Sequence, residues 1–229
     1  MSLRILLVGL AVVFGLDGAV TRAVAQDMAF EMVPFGDSGK CGSRCPEVIS
    51  AVGEITSATP RAFYNFVSSN IRDPRLRSIV FIHSPGGSVA ASMRLGSMFR
   101  KTGVAAVVAR VARLEGSTGS GGVALPGGRC FSACVYALTG AKKRIVPPPS
   151  LVGIHRMSFE EHERDITGLG EVTRKTYGTP DFVAQLANYA SAMGVSRDLI
   201  YTAEKISPEN IHIVTPAELR RWRLGSQKF

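Results

Sequence analysis

Cys130-Phe131-Ser132-Ala133-Cys134 joins a glycine-rich loop, Gly116–Gly128, to an apolar run, Val135-Tyr136-Ala137-Leu138, that stops at Gly140. The loop supplies the freedom a sharp turn needs, and the run reads as a buried helix ended by glycine. A serine at such an elbow has its hydroxyl beside a helix N-terminus, where free N–H groups and the helix dipole favour negative charge. That is where a nucleophile attacking a carbonyl would sit. The structural alternative is a serine that caps the helix and does no chemistry. Upstream, Ser84-Pro85-Gly86-Gly87 lets backbone N–H groups turn inward with no side chain in the way, as an oxyanion hole requires. Downstream, His155 ends the apolar stretch Leu151-Val152-Gly153-Ile154.

Alternating strands and helices must hold these pieces. Residues 46–56 read as a first strand, and Thr59-Pro60 as N-cap and first residue of a helix with Phe63, Phe66 and Val67 on its apolar face. Ser78–His83 is continuously apolar, as in a buried parallel sheet. A helix from Val89 to about Arg100 and a strand over Val104–Val111 complete a βαβ unit. Arg144–Val146 and Leu151–His155 read as strands, and a helix opens at Thr179-Pro180. Ser196 is placed to cap a short helix through Lys205. Ile211–Val214 reads as the last strand, and Thr215-Pro216-Ala217-Glu218 as a capping box. The fold class is α/β with a largely parallel sheet, in which Gly86-Gly87, Ser132 and His155 fall at the C-terminal strand edge where ligands bind. Gln26–Lys40 reads as an extended arm, and the polar Ser158–Thr176 as an exposed, mobile segment.

Composition narrows the partners. With 45% hydrophobic and 20% charged residues over 229 positions, the chain is a globular domain. Arg4, the apolar run Ile5–Leu16 and Ala23-Val24-Ala25 read as a signal peptide cleaved after Ala25, giving a periplasmic or secreted protein. The run is too short for a comfortable membrane span. Removing residues 1–25 lowers the formal net charge of +9 by one. The remaining basicity favours anionic envelope surfaces. The short runs Lys142-Lys143-Arg144 and Arg220-Arg221-Trp222-Arg223 come without a nucleic-acid motif, so no DNA or RNA partner is expected. Cys41, Cys45, Cys130 and Cys134 point to two disulfides in an oxidising compartment, with three connectivities open. No histidine has finger-like spacing to these cysteines, and no metal or cofactor is expected. Of the remaining histidines, His83 reads as a hydrogen-bonded core residue, His162 as solvated, and His212 as a minor site candidate. Cys130 or Cys134 would be silenced as a nucleophile by a disulfide.

Taken together, Phe81–Val89, Cys130–Cys134 and Gly153-Ile154-His155 resemble the strand, oxyanion turn, nucleophile elbow and strand-borne histidine of the Clp protease and crotonase superfamily. The chain is similar to a secreted, uncharacterised branch of Clp-protease-like bacterial proteins. That branch opens on a C-P-x-x-I-x-A-x-G-E-I-T pattern, here Cys45-Pro46 through Gly53-Glu54-Ile55-Thr56. The resemblance covers roughly residues 45–219 and implies a domain over 45–229, after a signal peptide (1–25) and an N-terminal arm (26–44). It implies Ser132 as nucleophile, His155 as general base, and the N–H groups of Gly87 and Ala133 as oxyanion hole. The peptidase's third member, an aspartate, has Ile211 near its place here. Asn210 or Glu209 would orient His155 after a small shift, with Glu204 a more distant option. The function implied is a periplasmic or secreted peptidase-like serine hydrolase acting on a peptide or other acyl substrate, with Gly116–Gly128 as a cover. The alternative is a catalytically impaired Clp-like binding or scaffold protein of the cell envelope. An acyl-thioester activity is disfavoured by the lack of free coenzyme A outside the cytoplasm. Clp-type subunits form rings through an N-terminal region and a helical handle, which leaves a homo-oligomer open and places Ser158–Gly178 where the handle would lie.

Overall fold

A computed structural model describes residues 26–36, 41–113, 122–125, 127–164 and 171–228. The expected signal peptide lies outside them, as does most of the Gly116–Gly128 cover. Strand β1 (Ala29–Pro34) pairs antiparallel with β2 (Glu47–Val52), so the segment read as an arm is an edge strand of the main sheet. The physical reason is alternation: Met28 is buried and Phe30 packs on the main core, while Ala29 and Glu31 between them face solvent. Helix α1 (Thr59–Asn70) follows β2 and buries Phe63. Its N-cap is Ala58, one residue before the expected cap, because the Thr59 hydroxyl accepts the Thr56 N–H at 2.9 Å.

Strand β3 (Leu76–His83), helix α2 (Val89–Thr102) and strand β4 (Ala105–Val108) form the expected βαβ unit. Ser88 caps α2 through the Ala91 N–H, and Gly103 ends it at φ 73°. Beyond β4 the chain runs into a small antiparallel pair, β5 (Arg110–Arg113) and β6 (Gly122–Leu125). Then come β7 (Arg129–Phe131), α3 (Cys134–Gly140), β8 (Lys143–Ile145) and β9 (Leu151–Ile154). The main sheet has the order β1-β2-β3-β4-β8, parallel from β2 onward, and Ile145 bridges onward to Ser226 near the chain end.

Segment 158–177 corrects the sequence reading. It is an antiparallel hairpin, β10 (Ser158–Arg164) and β11 (Glu171–Tyr177), standing where a helical handle was expected. Val172, Thr173, Thr176 and Tyr177 favour the pleated backbone, and the residues 165–170 lie outside the description. Helices α4 (Pro180–Ala192) and α5 (Asp198–Ala203) then lead to β12 (His212–Ile213) and α6 (Pro216–Arg221). A second sheet, β12-β9-β7, carries β7 and β9 in parallel and β12 antiparallel. Thr215 and Glu218 make the expected capping box at α6.

The core lies where α2, α3 and the sheets meet, around Leu95, Phe99, Leu138, Leu186 and Trp222. Helices α2 and α3 touch backbone to backbone. A Cβ on Gly140 would lie 2.1 Å from the Gly96 carbonyl oxygen, and one on Gly96 would meet the Tyr189 hydroxyl at the same distance. That hydroxyl donates to the Tyr136 carbonyl at 2.9 Å and so fastens α4 to α3. Gly140→Ala must separate two helices and is expected to cost about 2–3 kcal/mol. Thermal unfolding should show this as a midpoint lowered by about 5–10 °C.

Candidate active site

The site is built where three chain passes lie side by side. Ser84, just past β3, donates its N–H to the Arg129 carbonyl (2.8 Å) and accepts from Phe131 N–H (3.1 Å), which bridges β3 to β7. Beside β7, strand β9 runs parallel with Phe131 opposite Gly153. Ser132 is therefore one residue past that matched pair and His155 two residues past it, on neighbouring strands about 5 Å apart. Both line one pocket with Val89, Tyr136, Ile154 and Leu199. The structure thus brings the sequence-predicted serine and histidine together at the C-terminal strand edge.

Ser132 is held in the left-handed region at φ 54°, a conformation that costs a residue with a Cβ about 1–2 kcal/mol. Its N–H donates to the Gly153 carbonyl at 2.8 Å. The capping alternative does not describe it: Ala133 occupies the N-cap position and no side chain caps α3. Among the described residues the Ser132 hydroxyl has no hydrogen-bond partner. The Cys130–Cys134 disulfide spans the turn, with both cysteines fully buried, and Cys41–Cys45 forms the second bridge. Both connect neighbours within a C-x3-C repeat, which resolves the open connectivity. Cys130→Ala with Cys134→Ala is expected to lower stability by about 2–4 kcal/mol. The denaturant midpoint of the doubly substituted chain checks it.

The Ser-Pro-Gly-Gly turn sorts its two glycine amides. Ser84 is buried, and its hydroxyl accepts the Gly86 N–H at 3.1 Å. Gly86 and Gly87 sit at φ 118° and 123°. Ile55 donates to the Gly86 carbonyl and accepts from Ser88 N–H, each at 2.7 Å, so Gly87 turns its own N–H away from Ile55. Among the described residues neither that N–H nor the Ala133 N–H has an acceptor. A Cβ on Gly86 would stand 2.8 Å from Ser132 Cβ and 3.2 Å from Ala133 N, so the turn packs directly on the elbow.

The His155 Nδ1 lies 2.8 Å from the Arg156 carbonyl. A carbonyl only accepts, so this contact assigns a proton to Nδ1, and the neutral ring then has its lone pair on Nε2. Neither proposed orienting residue from the sequence reaches this ring. Glu209 pairs with Lys175 at 2.7 Å and with the Ser207 hydroxyl. Those hydrogen bonds, the Lys175 one foremost, hold its carboxyl down to about 2. Asn210 is exposed and donates its N–H to the Ser207 carbonyl. Ile211, at the aspartate's expected place, lies against Gly153 beside Phe131.

The other histidines are accounted for. His83 Nδ1 accepts the Arg129 N–H at 3.0 Å, and burial followed by the charges of Arg129 and Arg110 favours its neutral form. His212 binds the Glu218 carboxylate at 3.0 Å. Partial burial works against the Glu218 charge, but bonds from Thr215 and His212 outweigh it and keep the carboxyl below its usual range. The His162 side chain lies outside the description. No group of three or more metal-ligating side chains occurs among the described residues, and no described helix is long and apolar enough to cross a membrane.

Sequence reasoning missed two contributors. Ser84 was legible only as a serine two residues before a glycine, the spacing of a side-chain-closed turn. The Arg156 carbonyl leaves no trace in residue types at all.

The α/β fold is shared with solved protease structures. One of them is a serine-to-alanine variant of the 1510-N membrane-bound stomatin-specific protease, similar at TM-score 0.50 and 16% identity over 77% of this chain and 76% of that one. A lysine-to-alanine variant of that protease in complex with a substrate peptide aligns at TM-score 0.49 and 16% identity, over 80% and 74%. No family model matches the chain, and no curated protein matches it.

Proposed function

We propose that this chain is a peptidase-like serine hydrolase working outside the cytoplasm. The observation that carries the reading is a serine in a strained left-handed turn, sharing a pocket with a histidine, the serine hydroxyl and the histidine Nε2 both having no hydrogen-bond partner among the described residues. In this reading His155 Nε2 takes the proton from the Ser132 hydroxyl as its oxygen attacks a peptide or ester carbonyl. The tetrahedral oxyanion accepts hydrogen bonds from the Gly87 and Ala133 N–H groups. The imidazolium then gives its proton to the leaving amine or alcohol, and water resolves the acyl-enzyme by the same path. The two disulfides favour an oxidising compartment, and the leader-like residues 1–25 a periplasmic or secreted route.

Labelling of chain 26–229 with a fluorophosphonate, under non-reducing conditions, tests the assignment. Wild type should be labelled, and Ser132→Ala and His155→Ala should lose at least about 100-fold in rate while keeping their thermal midpoints. A folded wild type that resists the probe would favour the scaffold reading instead.

A further inference from the structure

The residue after His155 leads to a carboxylate that touches neither the serine nor the histidine. Glu204 closes the C-terminal end of α5, and its Oε1 accepts the Met157 N–H at 3.3 Å. Its Oε2 lies 3.5 Å from Arg156 Nε. The Met157 N–H and the Arg156 C=O are the two ends of one peptide group. That carbonyl is the acceptor for His155 Nδ1–H. A trans peptide points these two dipoles in opposite directions, so one planar unit stands between carboxylate and imidazole.

We propose that Glu204 is the positioning carboxylate of this site and acts on His155 through the Arg156–Met157 peptide. The inference rests on the hydrolase reading and replaces the direct aspartate contact that Ile211 cannot make. Three further observations bear on it. Arg156 N–H, part of the preceding His155–Arg156 peptide, donates to the Ile206 carbonyl at 2.8 Å, so the chain is also held on the other side of the Arg156 Cα. The Glu204 side chain retains only 15% of its exposure, which weakens screening by water. It also sits at a helix C-cap, where the backbone partial charges disfavour an anion. A carboxylate retained there has the Arg156 charge and the Met157 N–H to offset the cost.

Physically, an anion accepting the peptide N–H draws electron density toward the carbonyl oxygen at the far end. Hydrogen bonds in such a chain polarise one another, so the oxygen becomes a better acceptor for Nδ1–H. The result is the Nδ1-protonated tautomer with Nε2 turned to Ser132, and support for the imidazolium when it forms. Glu204 itself neither gains nor loses a proton and touches no reacting atom.

The test compares Glu204→Leu, which removes the acceptor, with Glu204→Gln, which keeps an oxygen for Met157 N–H. Two readouts are taken on chain 26–229: the fluorophosphonate labelling rate, and the His155 tautomer from imidazole nitrogen NMR shifts. Glu204→Leu should slow labelling about 10- to 100-fold and replace the single Nδ1–H tautomer with a mixture. Glu204→Gln should recover the tautomer and part of the rate. Unchanged rate and tautomer in Glu204→Leu would overturn the proposal, as would an Nε2–H tautomer in wild type. If wild type is not labelled at all, the hydrolase reading fails, and the tautomer comparison still decides the Glu204 link. A Glu204→Leu chain that does not fold leaves Glu204→Gln to decide: an Nε2–H or mixed tautomer there overturns the proposal.

Discussion

Ser132→Gly is expected to make the protein slightly more stable and to abolish its reaction with a fluorophosphonate. Glycine populates φ 54° freely, so the substitution releases the about 1–2 kcal/mol held at the elbow. Greater freedom of glycine in the unfolded chain takes back about 1 kcal/mol. The net gain is about 0–1 kcal/mol, a midpoint raised by up to about 4 °C. Ser132→Ala keeps the strain and should leave the midpoint where it is. A helix cap would give the opposite order, with alanine costing about 1 kcal/mol and glycine a few tenths. Calorimetry on the three chains therefore separates the nucleophile from the cap without any substrate. Strain maintained at an unpartnered hydroxyl is the signature of a functional position.

Gly87→Ala is expected to be far more damaging. The added Cβ would stand 2.3 Å from the Ile55 carbonyl oxygen, and the backbone there has φ 123°. That contact is with backbone that cannot swing aside, because Ile55 is tied to Gly86 and Ser88 by its own backbone hydrogen bonds. Strain of about 1–3 kcal/mol adds to an overpacking cost of similar size, for a total of about 3–5 kcal/mol. The midpoint should fall by about 10 °C or more, and labelling at Ser132 should fall with it. A Gly87→Ala chain with wild-type midpoint would show that this turn is not the rigid element described above.

Much of this architecture was legible in residue order. The apolar run Ser78–His83, the Val89–Arg100 stretch and the Thr215–Glu218 box each carry local signals that tertiary contacts do not reverse. Ser132 was legible as a small-residue elbow between a glycine-rich loop and a buried helix, and His155 as the end of an apolar strand; the parallel pairing of β7 with β9 brings the two together. Two stretches were misread for physical reasons. Residues 158–177 lack an apolar period, the described side chains of the hairpin being exposed or half-buried, and only strand propensity marks it. The segment 29–34 looked like an arm because its burial comes from pairing with β2, a partner some twenty residues away. The orienting group for His155 was the hardest to see. A search for a third side chain weighs carboxylates by their place in the chain, whereas the hydrogen bond observed goes to a main-chain carbonyl that every residue possesses.

The far end of the chain closes a surface that parallel sheets usually leave open. Ser226 donates its N–H to the Arg144 carbonyl and accepts the Val146 N–H, so β8 presents these groups to its own tail instead of to solvent. Leu224, fully buried two residues earlier, anchors that tail in the core. A chain shortened before Leu224 would lose the plug and leave the Arg144 carbonyl and the Val146 N–H on that edge without their partner. Such an edge is a template for strand addition by neighbouring molecules, so self-association, rather than simple loss of fold, is the failure to watch for when tags or truncations are placed there.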